Sequence, residues 1–193
     1  MIPRVAAFLS LGLALAGCAS EGGPPSVSSA TSIMPVAYAI EADSAGPITA
    51  TTSYSRQALQ ALFPGDRIDV IQTADETGVV SALTIFEEGL QTLMVIPTSN
   101  RREIKAVHGA GLAVAGPGGE RLGMTFRELG MDRGTCRLGQ GPWVGMAVCR
   151  SRQAPNVSLV FDPGEWSEPN ELAPAEVLAE GRLQRIVWSP PGA

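Results

Sequence analysis

The chain has one histidine, His108, so imidazole-based acid–base or nucleophilic chemistry must be built around it. It stands at the end of a predicted strand, Ile104–Val107, just before Gly109-Ala110-Gly111. A Ser-His-Asp triad needs a nucleophile and an orienting acid at the imidazole, and no nucleophile elbow or other triad signature accompanies this residue. The adjacent glycines do not make a phosphate loop, because a third glycine and a following helix are missing. His108 therefore reads as a surface or hydrogen-bonded structural residue. Two groups of carboxylates are the other candidates for chemistry. Glu87-Glu88 precede Gly89 between two apolar runs, as the solvated tip of a hairpin would. Glu165, Glu168 and Glu171 lie in a Pro-rich loop with Trp166, where the ordinary role of the indole is to plug an edge of the core. Glycoside hydrolysis needs two carboxylates roughly 5–10 Å apart across a cleft, a separation that sequence spacing does not set.

The N-terminus decides which compartment any such chemistry would serve. Met1-Ile2-Pro3-Arg4 carries one positive charge, a largely apolar stretch of twelve residues follows from Val5 to Ala16, and Gly17 is small, the pattern of a secretory signal. Twelve residues make roughly 18 Å of helix against a hydrocarbon core of about 30 Å, so a retained transmembrane helix is not expected. Leu15-Ala16-Gly17-Cys18 resembles the lipobox of bacterial lipoproteins. That resemblance implies cleavage before Cys18, a diacylglycerol on its thiol and, commonly, an acyl chain on its amine. Each buried CH₂ contributes about 0.8 kcal/mol, so several chains anchor firmly where one does not. Ala19 in place of aspartate implies, by the enterobacterial sorting pattern, the periplasmic face of the outer membrane.

With Cys18 given to lipid, Cys136 and Cys149 remain as an even pair in an oxidising compartment. A disulfide between them closes 14 residues and is worth about 3 kcal/mol in the chain-entropy model. Zinc needs four ligands and a redox pair is typically Cys-x-x-Cys, so neither a metal centre nor a cofactor is expected. Around the pair lie Arg133, Arg137, Arg150 and Arg152, in a chain whose only lysine is Lys105. The bond would bring Arg137 near Arg150. If residues 149–152 are extended, Arg150 and Arg152 share the face opposite Cys149. Guanidinium groups receive carboxylates and phosphates bidentately. Arg137, Arg150 and Arg152 are therefore candidate ligands for an anion or partner: a lipopolysaccharide phosphate, a peptidoglycan carboxylate or an acidic protein surface. The competing reading is a solvated arginine face paired with neighbouring acids.

The elements that must position these groups are short. The chain has 193 residues, of which 45% are hydrophobic and 17% charged, with a formal charge of −5 and a mean hydropathy of +0.13. That composition excludes general disorder and gives no electrostatic reason to bind nucleic acid. Three segments are expected: a signal peptide over 1–17, the lipidated cysteine and a flexible linker over 18–35, and a single domain over 36–193. Eleven of the seventeen residues in 19–35 are Gly, Pro, Ser or Thr, enough flexible chain to span roughly 20–25 Å. In the domain, Val36–Ile40, Ile68–Gln72, Ile104–Val107 and Leu183–Trp188 read as strands. Val79–Phe86 and Leu90–Ile96 read as a hairpin, and Met146–Cys149 with Val157–Phe161 as a second strand pair. A helix capped by Ser53 or Ser55 carries Leu59, Leu62 and Phe63 to Pro64-Gly65, and another starts at Pro174 and runs through Ala179, with Gly181 as its stop. Thr125 and Glu128 fit a capping box followed by one turn. Gly116-Pro117-Gly118-Gly119 is a turn. Strands outnumber helices without alternating with them, which predicts an α+β domain with a largely antiparallel sheet, a few short helices and one disulfide.

The ordered set of these pieces resembles an uncharacterised group of Gram-negative envelope lipoproteins that includes the RpoE-regulated lipoprotein. The matching residues are Thr51-Thr52-Ser53 leading into Ala58–Gly65, Gly123-Met124-Thr125-Phe126, the two cysteines before Leu159-Val160-Phe161, Leu172-Ala173-Pro174, and Ile186-Val187-Trp188-Ser189-Pro190. The resemblance covers roughly residues 45–190. It implies a single-domain envelope lipoprotein whose expression follows misfolding stress, and it supplies no catalytic residue. The expected function is a non-enzymatic, lipid-anchored outer-membrane protein that binds an envelope component or partner protein; the alternative is a periplasmic hydrolase of peptidoglycan or lipid head groups. The first expectation is direct: labelled palmitate enters the wild-type protein in a Gram-negative host and not a Cys18→Ala variant, and equal labelling of the two would overturn the anchor.

Overall fold

The longest apolar runs fall in eight strands of one antiparallel sheet, and the order of those strands fixes everything around them. The computed structural model describes residues 35–192, so the expected signal peptide, Cys18 and nearly all of the linker lie outside the described residues. Three two-residue strands come first, β1 (Tyr38–Ala39), β2 (Ser44–Ala45) and β3 (Ile48–Thr49), then the helix α1 (Arg56–Leu62). The strands β4 (Arg67–Asp75), β5 (Gly78–Glu87), β6 (Leu90–Pro97) and β7 (Ile104–Gly109) form a meander. The chain then leaves the sheet through β8 (Val114–Ala115), which pairs in parallel with β1. It re-enters at the far edge as β9 (Cys136–Leu138), β10 (Ala147–Arg150) and β11 (Val157–Asp162), and after α2 (Ala175–Glu180) ends with β12 (Arg182–Trp188). The order across the sheet is β4-β5-β6-β7-β12-β11-β10-β9. Two four-stranded meanders are thus joined along β7 and β12, where Ile186, Val187 and Trp188 face Gly109, His108 and Val107.

Local chemistry accounts for most element ends. Ser55, not Ser53, caps α1, its side chain accepting from the Ala58 N–H. The β5–β6 hairpin closes on a two-residue turn, Glu88 and Gly89, both at positive φ (49° and 83°), the backbone that keeps the strands in register with their twist. Thr125 and Glu128 form the reciprocal capping box: the Thr125 N–H donates to Glu128 Oε2 and the Glu128 N–H to Thr125 Oγ1, and only turns follow. Gly181 ends α2. The expectation of an α+β domain with a largely antiparallel sheet and one disulfide describes this structure.

One face of the sheet carries the main core. Leu83, Ile85, Leu93, Val95, Val107, Ile186, Leu159 and Cys149 point to it, covered by Leu59 and Phe63 of α1, Leu178 of α2, and Ile40, Ala45 and Ile48 of the N-terminal segment. Phe126 meets Phe161 edge to face at 5.2 Å. Trp188 is fully buried there, its indole N–H donating to the Ala42 carbonyl at 3.1 Å. At Gly109 a Cβ would lie 2.8 Å from Val114 Cγ1 and 3.0 Å from Ile40 Cδ1, so only glycine lets the crossing segment sit down on the sheet. Val70 departs from the half-buried pattern read for its strand and is 56% exposed. It lies on the edge strand β4, and α1 is tied to that strand two residues earlier, where the Arg56 guanidinium donates to the Ile68 carbonyl.

The Cys136–Cys149 disulfide joins directly opposed residues of β9 and β10 and packs its sulfurs on the core face. It ties a three-residue edge strand to the sheet across a sequence separation of 13. Replacing both cysteines by alanine is expected to lower unfolding free energy by about 3 kcal/mol in urea titrations under oxidising conditions. Coincident unfolding curves for the two proteins would refute that contribution.

Candidate functional site

The register places a second set of residues on the opposite face. Directly opposed strand residues share a face, and one row crosses seven strands: Asp69, Thr84, Met94, His108, Val187, Ser158 and Arg150. A small cluster of Ala82, Ile96, Ala106, Val148, Val160 and Val187 surrounds it. This face is partly closed because the sheet curls until its two edges meet. Arg137 on β9 clasps Glu76, just past β4, through two hydrogen bonds of 2.7 and 2.6 Å, and the Gln140 N–H donates to the same carboxylate at 3.1 Å. Burial alone would raise the Glu76 carboxyl, but the hydrogen bonds from Arg137 and Gln140 outweigh it and hold it below the usual carboxylate range. Beside it Asp75, which burial would also raise, is drawn down to about 2 by hydrogen bonds from Lys105 and Thr77.

The three arginines singled out by sequence do come together. Arg137, Arg150 and Arg152 line one concavity of about 760 Å³ with Val148 and Ser158. Their states differ. Arg137 is spent on Glu76, while Arg152 donates to the Leu129 and Gly130 carbonyls at 3.1 Å and pins the turn after the capping box. Arg152 does not continue the strand: β10 stops at Arg150, and residues 151–154 bend away. Arg133, the fourth basic neighbour, holds the Leu172 and Ala173 carbonyls. Arg150 alone projects exposed from the row, its side chain making no hydrogen bond or ion pair among the described residues. The expected cluster of free guanidinium groups is therefore one free cation flanked by two that shape its groove.

The His108 side chain is not on the surface and has no hydrogen-bond partner among the described residues. It is 4% exposed, near the middle of the sheet, and its ring lies 5.5 Å from that of Trp143. Burial first, then the charge of Arg185, holds its imidazole down to about 4, so it is neutral at physiological pH. No hydroxyl or carboxylate among the described residues hydrogen-bonds it, so the described residues contain no assembled triad. The acid groups read from sequence are also apart from it: Glu87 and Glu88 sit at the hairpin tip, and Trp166 packs on the core edge with its N–H donating to Glu171 O at 3.2 Å. Among the described residues no helix is long and apolar enough to cross a membrane, and no three His, Cys, Asp or Glu side chains gather as a metal site.

Comparison with other proteins identifies the family and assigns it no activity. A family model described as a protein of unknown function, DUF1131, matches residues 26–190. The chain belongs to the DUF1131 family. An uncharacterised family is what the sequence resemblance indicated, and the match begins before the sheet, within the segment read as linker. The DUF1131 fold is also seen in the crystal structure of the uncharacterised protein YfeY from Escherichia coli, which superposes with a TM-score of 0.64 at 18% identity, covering 78% of this chain and 98% of that one. No curated protein matches the chain significantly.

Glu76, Trp143, Met94 and Arg185 were not singled out by sequence. Glu76 is 61 positions from Arg137, and only the closed register brings them together. The buried histidine has a measurable consequence. An unfolded imidazole titrates near 6.5 and the folded one near 4, so between these values the unfolded chain takes up a proton that the folded chain refuses. Its contribution to stability is complete above pH 6.5 and is lost as pH falls toward 4, by roughly 3 kcal/mol in total. Urea unfolding of His108→Gln should lack that segment of the pH profile; equal slopes in variant and wild type would contradict it.

Proposed function

We propose that this protein is a non-enzymatic lipoprotein of the bacterial outer membrane, held by lipid on Cys18, that binds an anionic envelope component or the acidic surface of a partner protein at the Arg150 groove. The observation that carries the reading is the contrast among the three arginines. Two are satisfied by Glu76 and by backbone carbonyls, and Arg150 stands between them unpaired. A fixed surround with one available guanidinium suits recognition of a phosphate or carboxylate, since ordering the surround costs nothing further on binding. The net charge of −5 makes a purely non-specific attraction to anions a poor explanation, because the domain as a whole repels them.

The signal pattern, the lipobox and the Gly/Pro/Ser-rich segment support the periplasmic location and the reach from the membrane. Membership of a family described only as of unknown function leaves the role in envelope maintenance or stress response as part of this proposal. A photo-crosslinking residue at Ser158, on the groove wall beside Arg150, tests it in living cells. The expected result is a discrete protein or glycolipid adduct that disappears with Arg150→Glu while the protein level and melting curve stay unchanged. Adducts identical in the Arg150→Glu strain, or none above an uncrosslinked control, would count against the groove as the binding surface.

A further inference from the structure

The curled face encloses a second concavity of about 260 Å³ that shares no lining residue with the Arg150 groove. Its floor is the row pair Met94–His108, and its cover is the single 3-10 turn Gly141–Trp143 with Met146, resting on the end of β4. Three features of this chamber call for a ligand. His108 is almost wholly buried, lines the chamber, and has no hydrogen-bond partner among the described residues. Its ring nitrogens are not among the fully buried unpartnered atoms, of which Thr84 Oγ1 is the one found among the described residues, so they keep access to the chamber and can meet a molecule held there. Arg185, the residue two before Val187 on β12, lines the same chamber, and burial lowers the pKa of its guanidinium. Its one hydrogen bond goes to the neighbouring Gln184 carbonyl, at 2.8 Å, and it forms no ion pair among the described residues.

The charges nearby leave that guanidinium unbalanced. Asp75, the carboxylate felt by His108, is matched by Lys105 at 2.7 Å, and Glu76 is matched by Arg137 at 2.6 Å. One positive charge, on the partly exposed Arg185, therefore remains at the chamber wall beside a neutral imidazole that can donate or accept. The rest of the wall is soft and apolar: the indole of Trp143 and the thioethers of Met94 and Met146. We propose that the chamber is a binding site for a small monocarboxylate with an apolar body, its carboxylate held by Arg185 and His108 and its body lying against Trp143, Met94 and Met146. A dianionic phosphate would be left with uncompensated charge. A soft metal cation could use the thioethers and imidazole, but it would have to sit beside the unneutralised guanidinium.

The lone histidine makes the test simple, because it gives the only imidazole resonances in the protein. The full-length lipidated protein, with ¹³C-labelled histidine and in non-ionic detergent, is titrated with benzoate and separately with hexanoate, phosphate and silver(I). A saturable shift of the His108 signals by benzoate or hexanoate is expected, with an upward move of the imidazole pKa because a bound anion favours its protonated form. Arg185→Gln, checked for an unchanged melting curve, should weaken binding by about tenfold or more. Absence of a saturable carboxylate shift in the wild type overturns the proposal whatever the variant does. So does equal affinity in a folded Arg185→Gln protein, or saturation by silver(I) or phosphate with none by either carboxylate. None of these outcomes depends on whether Arg150 binds anything.

Discussion

The domain depends on one seam, the pairing of β7 with β12. Each meander by itself is a run of neighbouring antiparallel strands, the last two of the second joined through α2. The seam brings them into one sheet, and three residue pairs make it: Ile186 with Gly109, Val187 with His108, and Trp188 with Val107. Its alternation sends Trp188 and Ile186 into the main core and Val187 and His108 to the opposite face. A one-residue slip would reverse both sets and drive an indole into the small cluster. Gly109, against which Ile40 and Val114 pack from the paired β1 and β8 segments, and Trp188, tied to the Ala42 carbonyl, lock the same register from the covering layer.

Both concavities follow from that constraint. Once eight twisted strands are continuous, their edges can curl toward each other, and Arg137 and Glu76 fasten the closure. The pair is half-exposed, so its worth lies less in energy than in geometry. It holds the turn carrying Trp143 over His108 on one side, and on the other it occupies an arginine that would otherwise compete with Arg150. The disulfide acts one layer below, keeping the three-residue strand that bears Arg137 attached to the sheet.

What the sequence displayed and what it hid divide along the length scale of the interaction. The β5–β6 hairpin, a serine cap for α1 at position 53 or 55, the Thr125–Glu128 box and the α2 stop at Gly181 are written in residues a few positions apart, and so they were readable. The cysteine pairing was readable because only one even pair remained. The place of β12 in the middle of the sheet was not, since nothing in Leu183–Trp188 says which of its neighbours will be strands from 80 positions earlier. β9 was missed because three residues, Cys136, Arg137 and Leu138, are too few to carry a periodicity. The arginine cluster was legible as a group, but the division into two engaged side chains and one free depends on Glu76, Leu129 and Gly130. His108 was read as exposed or satisfied because a single polar residue in an apolar run gives no hint of what its cross-strand neighbours are.

The central position of the last strand also sets an order of events. A chain that emerges amino end first can form the β4–β7 meander, and later the disulfide-linked β9–β11 segment, while its carboxyl end is still elsewhere. The two halves cannot join until the final residues arrive. Until then the inner edges of both meanders, β7 and β11, stand open with unpaired backbone groups and bare apolar faces, the state in which strands pair with the wrong partner. The domain is thus most exposed to misassembly just before it is complete, and its vulnerability lies at the end of the chain rather than at its beginning.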